Sequence, residues 1–144
     1  MKKIYVITSL FVIFVIIIFL YLFMKIPDFE PKVTIVEIYS TRLDEKLFIK
    51  KKNWGITGDA QVIVLSKLSS EIFEPDTNRE LIFKGLSPLF YNFSNDTLNL
   101  YVTQKSEVPK GFSTNIIINQ HLLTNPEIMK LMKDYKDKGF KKID

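Results

Sequence analysis

Leu89 to Thr103 reads LFYNFSNDTLNLYVT. Leu98, Leu100 and Val102 alternate with Asn99, Tyr101 and Thr103, the period-two pattern of a strand with one buried and one wetter face. Ser94-Asn95-Asp96-Thr97 separates this run from the apolar Leu89–Phe93, and Asn and Asp tolerate the left-handed backbone of a tight turn. The stretch therefore predicts a β-hairpin.

Upstream, Glu80–Lys84 is a further strand, with Gly85-Leu86-Ser87-Pro88 as the intervening turn signal. Gln61–Lys67, carrying Val62, Ile63, Val64 and Leu65, is apolar on both faces and reads as a central strand. Val33–Tyr39 is β-branched and nearly continuous, and Leu47–Ile49 adds a short strand. Downstream, Phe112–Ile118 follows the breaker Val108-Pro109-Lys110-Gly111. Six or seven strands with short connections predict a mainly β domain, an antiparallel sandwich or half-open barrel over residues 33–144. No helix-length spacers separate them, which argues against parallel pairing.

One helix closes the chain, expected over residues 126–138. Asn125 can cap it, Pro126 fits its first position and Glu127 suits the positive end of the helix dipole. Ile128, Leu131, Met132 and Tyr135 form one apolar stripe, and Gly139 can end the helix. The stripe packs on the sheet or, alternatively, on a membrane surface or partner.

The other half of the organisation lies at the N-terminus. Ile4 to Met24 holds 21 residues without a charge, proline or glycine. At about 1.5 Å per residue it reaches about 30 Å, the hydrocarbon thickness of a bilayer. Lys2, Lys3 and Lys25 bracket it, and Tyr5 and Tyr21 lie near its ends. A cleaved signal peptide has a shorter apolar core and a small-residue cleavage site, whereas Phe23-Met24-Lys25 follows here and the single alanine of the chain is Ala60. Residues 1–25 thus read as a retained signal-anchor and 26–32, with Pro27 and Pro31, as a stiff tether. Lys2 and Lys3 favour a cytoplasmic N-terminus, although Lys25 and Lys32 compete. Eighteen lysines against two arginines, with many isoleucines, suggest an AT-rich bacterial genome. The expected location is the cytoplasmic membrane of a bacterium, single pass, with the domain on the extracytoplasmic side and the bilayer as partner through Ile4–Met24.

The chain has no cysteine, which excludes disulfides, thiol nucleophiles and Cys-type zinc sites. From Lys25 onward 18 basic residues face 16 acidic ones, so the basic pI does not indicate nucleic acid. Lys50-Lys51-Lys52 could touch phosphates or headgroups and otherwise reads as a solvated loop. His121 is the one histidine, expected in a loop between the last strand and the helix. A hydrolase would have to use it with Ser113 or an acidic neighbour. Trp54-Gly55-Ile56-Thr57-Gly58-Asp59 reads as a tight turn with Trp54 over the end of the core, or as an aromatic-rimmed binding loop with Trp54 and Asp59 as contacts. Asp76-Thr77-Asn78-Arg79-Glu80 starts like a calcium loop but has Leu81 and Ser87 where Gly and Glu are required, and reads as a turn. Trp54–Ile63 and Ser87–Tyr91 resemble segments of small membrane-anchored bacterial proteins; the resemblance implies no activity.

Trp54, Asp59 and His121 are thus the candidate binding residues, with no catalytic set, metal or cofactor expected. Three classes follow: a non-enzymatic binding or accessory module with a protein partner or ligand at the membrane, a small envelope hydrolase built on His121, or an immunity- or inhibitor-type membrane protein.

Overall fold

The structure is a computed structural model that describes residues 11–21, 31–54, 60–70, 72–85 and 88–143. Residues 11–21 are helical (α1), within the apolar 4–24 run, and their side chains are exposed. Among the described residues no helix is long and apolar enough to cross a membrane. The rest of the 4–24 run, residues 26–30 of the expected tether, and Gly55 to Asp59 lie outside the described residues.

The described residues of the domain form eight strands and one helix: β1 (Lys32–Ser40), β2 (Glu45–Trp54), β3 (Ala60–Ser66), β4 (Leu81–Lys84), β5 (Phe90–Ser94), β6 (Thr97–Val102), β7 (Ile117–Leu122), α2 (Asn125–Asp134) and β8 (Lys141–Lys142). The first four make an antiparallel sheet in sequence order. The second sheet runs β7-β6-β5-β8 and is mixed. Its β5–β6 pair is the expected hairpin: Ser94 faces Thr97, and Asn95 (φ 50°) and Asp96 (φ 57°) make a two-residue turn with both φ positive.

The two sheets share one core. Ile38, Leu47, Ile49, Ile63, Leu65, Leu81 and Phe83 come from the first, and Tyr91, Leu98, Leu100 and Val102 from the second, joined by Leu89, Phe112, Ile116 and Ile143. Strand alternation sets this pattern, because every second residue faces the same way. β3 is buried on both faces, Ile63 and Leu65 inward and Val64 and Ser66 outward, as its unbroken apolar run requires. The outward row Phe48, Lys50, Val64 and Ser66 is also buried, and Lys50 and Ser66 border a cleft lined by described residues of the β3–β4 connection (67–70 and 72–80). There Lys52 Nζ lies 5.7 Å from the Phe73 ring centre.

Four expectations are corrected. β2 is the longest strand, not a three-residue one, and it contains the lysine run read as a loop. The lysines are tolerated because their neighbours are specific: Lys51 Nζ donates to the Ile143 carbonyl (3.3 Å), and Lys50 faces Glu80. The last long strand starts at Ile117, not Phe112, and takes in His121, which was expected in a loop. It runs parallel to β6, with Thr97 beside Ile117 and Val102 beside Leu122. Residues 103–116 supply the crossover without a helix, and side-chain bonds hold it. Ser106 Oγ accepts the Ile82 N–H (3.1 Å), while Gln120 accepts the Ser106 N–H (2.8 Å) and donates to its carbonyl (2.9 Å). Finally, the helix is capped by Thr124 rather than Asn125 and ends at Asp134. Glu127 Oε2 accepts both the Thr124 N–H and its hydroxyl at 2.7 Å. Ile128 and Leu131 are buried, Tyr135 meets the Phe90 ring at 5.5 Å between centres, and Met132 is exposed. The helix therefore lies on the face of the second sheet that carries Phe90.

Candidate functional site

Trp54 ends β2 and is 41% exposed, so it does not cover the end of the core. Asp59 lies outside the described residues. His121 stands on β7 in the other sheet from Trp54, and the two do not form one site.

The surroundings of His121 are defined. Its ring stacks on Tyr101, 4.8 Å between centres and 16° between planes. Phe140 meets the other rim of Tyr101 edge-on at 4.7 Å. Along the same face Asn99 Nδ2 donates to Asn92 Oδ1 (2.9 Å), Asn119 Nδ2 donates to Asn99 Oδ1 (3.2 Å), and His121 Nε2 is 3.1 Å from that same oxygen. The Asn99 amide thus lies between three strands, its nitrogen toward Asn92 and its oxygen toward Asn119 and His121. Among the described residues Ser113 is not brought to His121. Its carbonyl accepts Lys67 Nζ at 2.9 Å in another part of the fold. The histidine belongs to a cross-strand polar ladder, which stabilises the exposed face of a sheet.

At one end of the sandwich Asp96 accepts hydrogen bonds from the Ser40 hydroxyl and from Arg42 Nε. The Ser40 oxygen also accepts the Leu43 N–H (3.1 Å). These bonds hold the Asp96 carboxyl below the usual carboxylate range, the Ser40 bond contributing most and Arg42 next. An open depression of about 510 Å³ lies above, lined by Tyr39, Phe93 and these groups. Its charged groups satisfy one another, and the cluster ties the β1–β2 turn to the β5–β6 turn.

The arrangement with unspent chemistry lies on the outward face of the first sheet. A cleft of about 360 Å³ opens between β2, the end of β3 and the 67–80 connection. This is within the size range of ligand pockets, about 300–1,000 Å³. Lys50 from β2 and Glu80 from the connection form its buried wall, their side chains 6% and 8% exposed. Lys50 Nζ is 3.6 Å from Glu80 Oε1, an ion pair too long for a hydrogen bond. Glu80 Oε2 instead accepts the Asp76 N–H (2.8 Å). Arg79, Lys67, Leu68 and Ile72 complete the lining that matters chemically. Although Glu74, Asp76 and Glu80 contribute, no three acidic or histidine groups among the described residues converge to hold a metal ion.

Sequence reasoning missed this site for a physical reason. Lys50 sits in a lysine run and Glu80 in a turn-like phrase, and only the fold places them 30 residues apart in sequence but side by side. The available signal was the alternation around Lys50: Leu47 and Ile49 point into the core, so Phe48 and Lys50 share the opposite face. A lysine beside a buried phenylalanine needs a partner there.

Comparison with protein families, with curated proteins and with solved structures gives no match to this chain.

Proposed function

We propose that this chain is a single-pass, membrane-anchored bacterial protein whose β domain is a non-enzymatic binding or accessory module at the outer surface of the cytoplasmic membrane. The anchor rests on the 21-residue apolar run Ile4–Met24 and its flanking lysines. The binding role rests on one observation, the cleft walled by Lys50 and Glu80. A buried ammonium held beyond hydrogen-bond reach of its counter-ion is costly for a domain that gains nothing from it. A charged group beyond hydrogen-bond reach of its partner at a concave surface is a feature of sites that meet a ligand. The domain begins within a few residues of the proposed anchor, so ligand or protein partner is met close to the lipid.

Alkaline carbonate extraction of membranes from cells making the full chain tests the anchor, and protease treatment of intact spheroplasts tests the side. Retention in the pellet with digestion of the domain from outside is the expected result. Release of full-length protein into the wash, or protection from external protease, overturns the location. Titration of the full chain with small amphiphilic ions decides whether the cleft binds at all.

A further inference from the structure

We infer that the Lys50–Arg79 cleft takes a singly headed oxyanion, a carboxylate or phosphate monoester, carrying an apolar chain. The inference rests on reading the cleft as a binding site and is independent of the anchor. Its basis is an asymmetry between donors and acceptors. Two carboxylates of the wall each accept a backbone N–H: Glu80 Oε2 from Asp76 at 2.8 Å, and Asp76 Oδ1 from Asn78 at 2.8 Å. Two basic groups stand farther from their partners. Lys50 Nζ stands 3.6 Å from Glu80 Oε1, and Arg79 Nε stands 3.7 Å from Asp76 Oδ2. Neither makes a hydrogen bond among the described residues. Lys67, the third cation of the lining, is already ion-paired with Glu45 (3.0 Å) and donates to the Ser113 carbonyl (2.9 Å).

What Lys50 Nζ and Arg79 Nε lack among the described residues is therefore an acceptor at hydrogen-bond distance. An ammonium with three N–H groups and a guanidinium with a planar donor fork can share one oxyanion, and charge-assisted bonds of this kind are the strong ones. Burial of the Lys50 end makes a bare water a poor substitute for a charged acceptor. The carboxylates of Glu74, Asp76 and Glu80 around the same space set a limit. They repel a polyanion and leave room for a single head group. Leu68 and Ile72, 63% and 71% exposed, line the mouth and offer apolar surface to a chain attached to that head.

The test uses the ¹⁵N-labelled full chain in phosphatidylcholine nanodiscs, titrated with octyl phosphate, with octanoate and, for comparison, with octyltrimethylammonium. The expected result is saturable shifts of the 66–80 amides with the two anions and none with the cation. Arg79→Gln, at an exposed position that leaves the fold intact, should weaken octyl phosphate about tenfold, the value of one charge-assisted bond. Lys50→Gln should do the same, Glu80→Gln should tighten binding by removing a competing carboxylate, and Lys133→Gln on α2 should change nothing. Nanodiscs containing phosphatidic acid, whose head group is a phosphate monoester, separate the sources. Matching shifts without added ligand assign the head group to lipid, and their absence assigns it to a free molecule. Shifts with the cation alone, or octyl phosphate binding indifferent to Arg79→Gln and Glu80→Gln, overturn the oxyanion assignment while leaving the cleft a binding site. No response to any probe overturns that underlying reading as well.

Discussion

Gly111 is the residue where the crossover touches the β3–β4 connection. Its N–H donates to the Asn78 carbonyl at 3.1 Å, and a Cβ placed on it would sit 2.4 Å from that same oxygen. The obstacle is backbone, which cannot swing aside as a side-chain tip can. Gly111→Ala should therefore destabilise the fold by about 1–3 kcal/mol, the usual cost of forcing extra atoms into a packed contact. Urea midpoints read this directly, and an unchanged midpoint would show that the two segments are free to separate. Asp96 makes a different demand. Its carboxyl is held low in the folded state by the Ser40 hydroxyl first and Arg42 second, and the unfolded chain lacks both. A depressed folded pKa contributes stability above the unfolded value of about 3.9, and that contribution is lost as pH falls through the folded value. Asp96→Asn keeps a residue that tolerates φ 57°. Its urea midpoint should be lower than wild type at neutral pH, and the gap should close as pH falls below about 4. A gap that stays constant with pH would mean the carboxylate charge is not what the network uses.

The helix α2 buries two residues, Ile128 and Leu131, so its N-terminal cap matters more than it would in a deeply packed helix. Thr124→Ala removes the hydroxyl that meets Glu127 and should cost about 1 kcal/mol. Hydrogen exchange of the 125–134 amides should quicken before that of β5 and β6, and uniform protection loss would place the damage elsewhere. Glu127 itself is held low by the Thr124 N–H and hydroxyl, so this cap also weakens as acid protonates it. What could be read in advance at this scale followed local period. β3 declared itself by its continuous apolar run, and the β5–β6 hairpin by alternation around Asn95-Asp96. β2 did not, since Lys50 to Lys52 interrupts its apolar half and the partners that excuse them lie in distant segments. β7 starts five residues later than its apolar run suggests, because half of its rungs are the polar Asn119, Gln120 and His121, which show no strand-like hydrophobic pattern. β8 is two residues long, too short to show any period. The cleft was illegible for the same reason as β2, since it exists only once β2 and the 67–80 connection are superposed.

At the scale of the molecule, one core serves both sheets, and bonds cross between them at several places. Ser40 meets Asp96 at one end, Ser106 bridges Ile82 and Gln120 along the side, and the Asn115 N–H reaches Glu45 Oε2 at 2.9 Å. Among the described residues the main buried cluster draws on both sheets at once, so the domain should unfold as one unit. Trp54 fluorescence reports the first sheet, and the Tyr101–His121 resonances report the second. Their urea transitions should coincide, and separated midpoints would show two independent halves. The order of the first sheet carries a mechanical consequence. β1 is one of its two edge strands, paired with β2 alone among the described residues, and the chain enters it at the Lys32–Asn53 rung, the end of the hairpin away from its turn. Tension arriving through residue 31 would load the ladder one rung at a time, like a zipper drawn from its open end. The domain would give way to such a pull by shedding β1 first, at forces far below those that shear a strand held along its whole length.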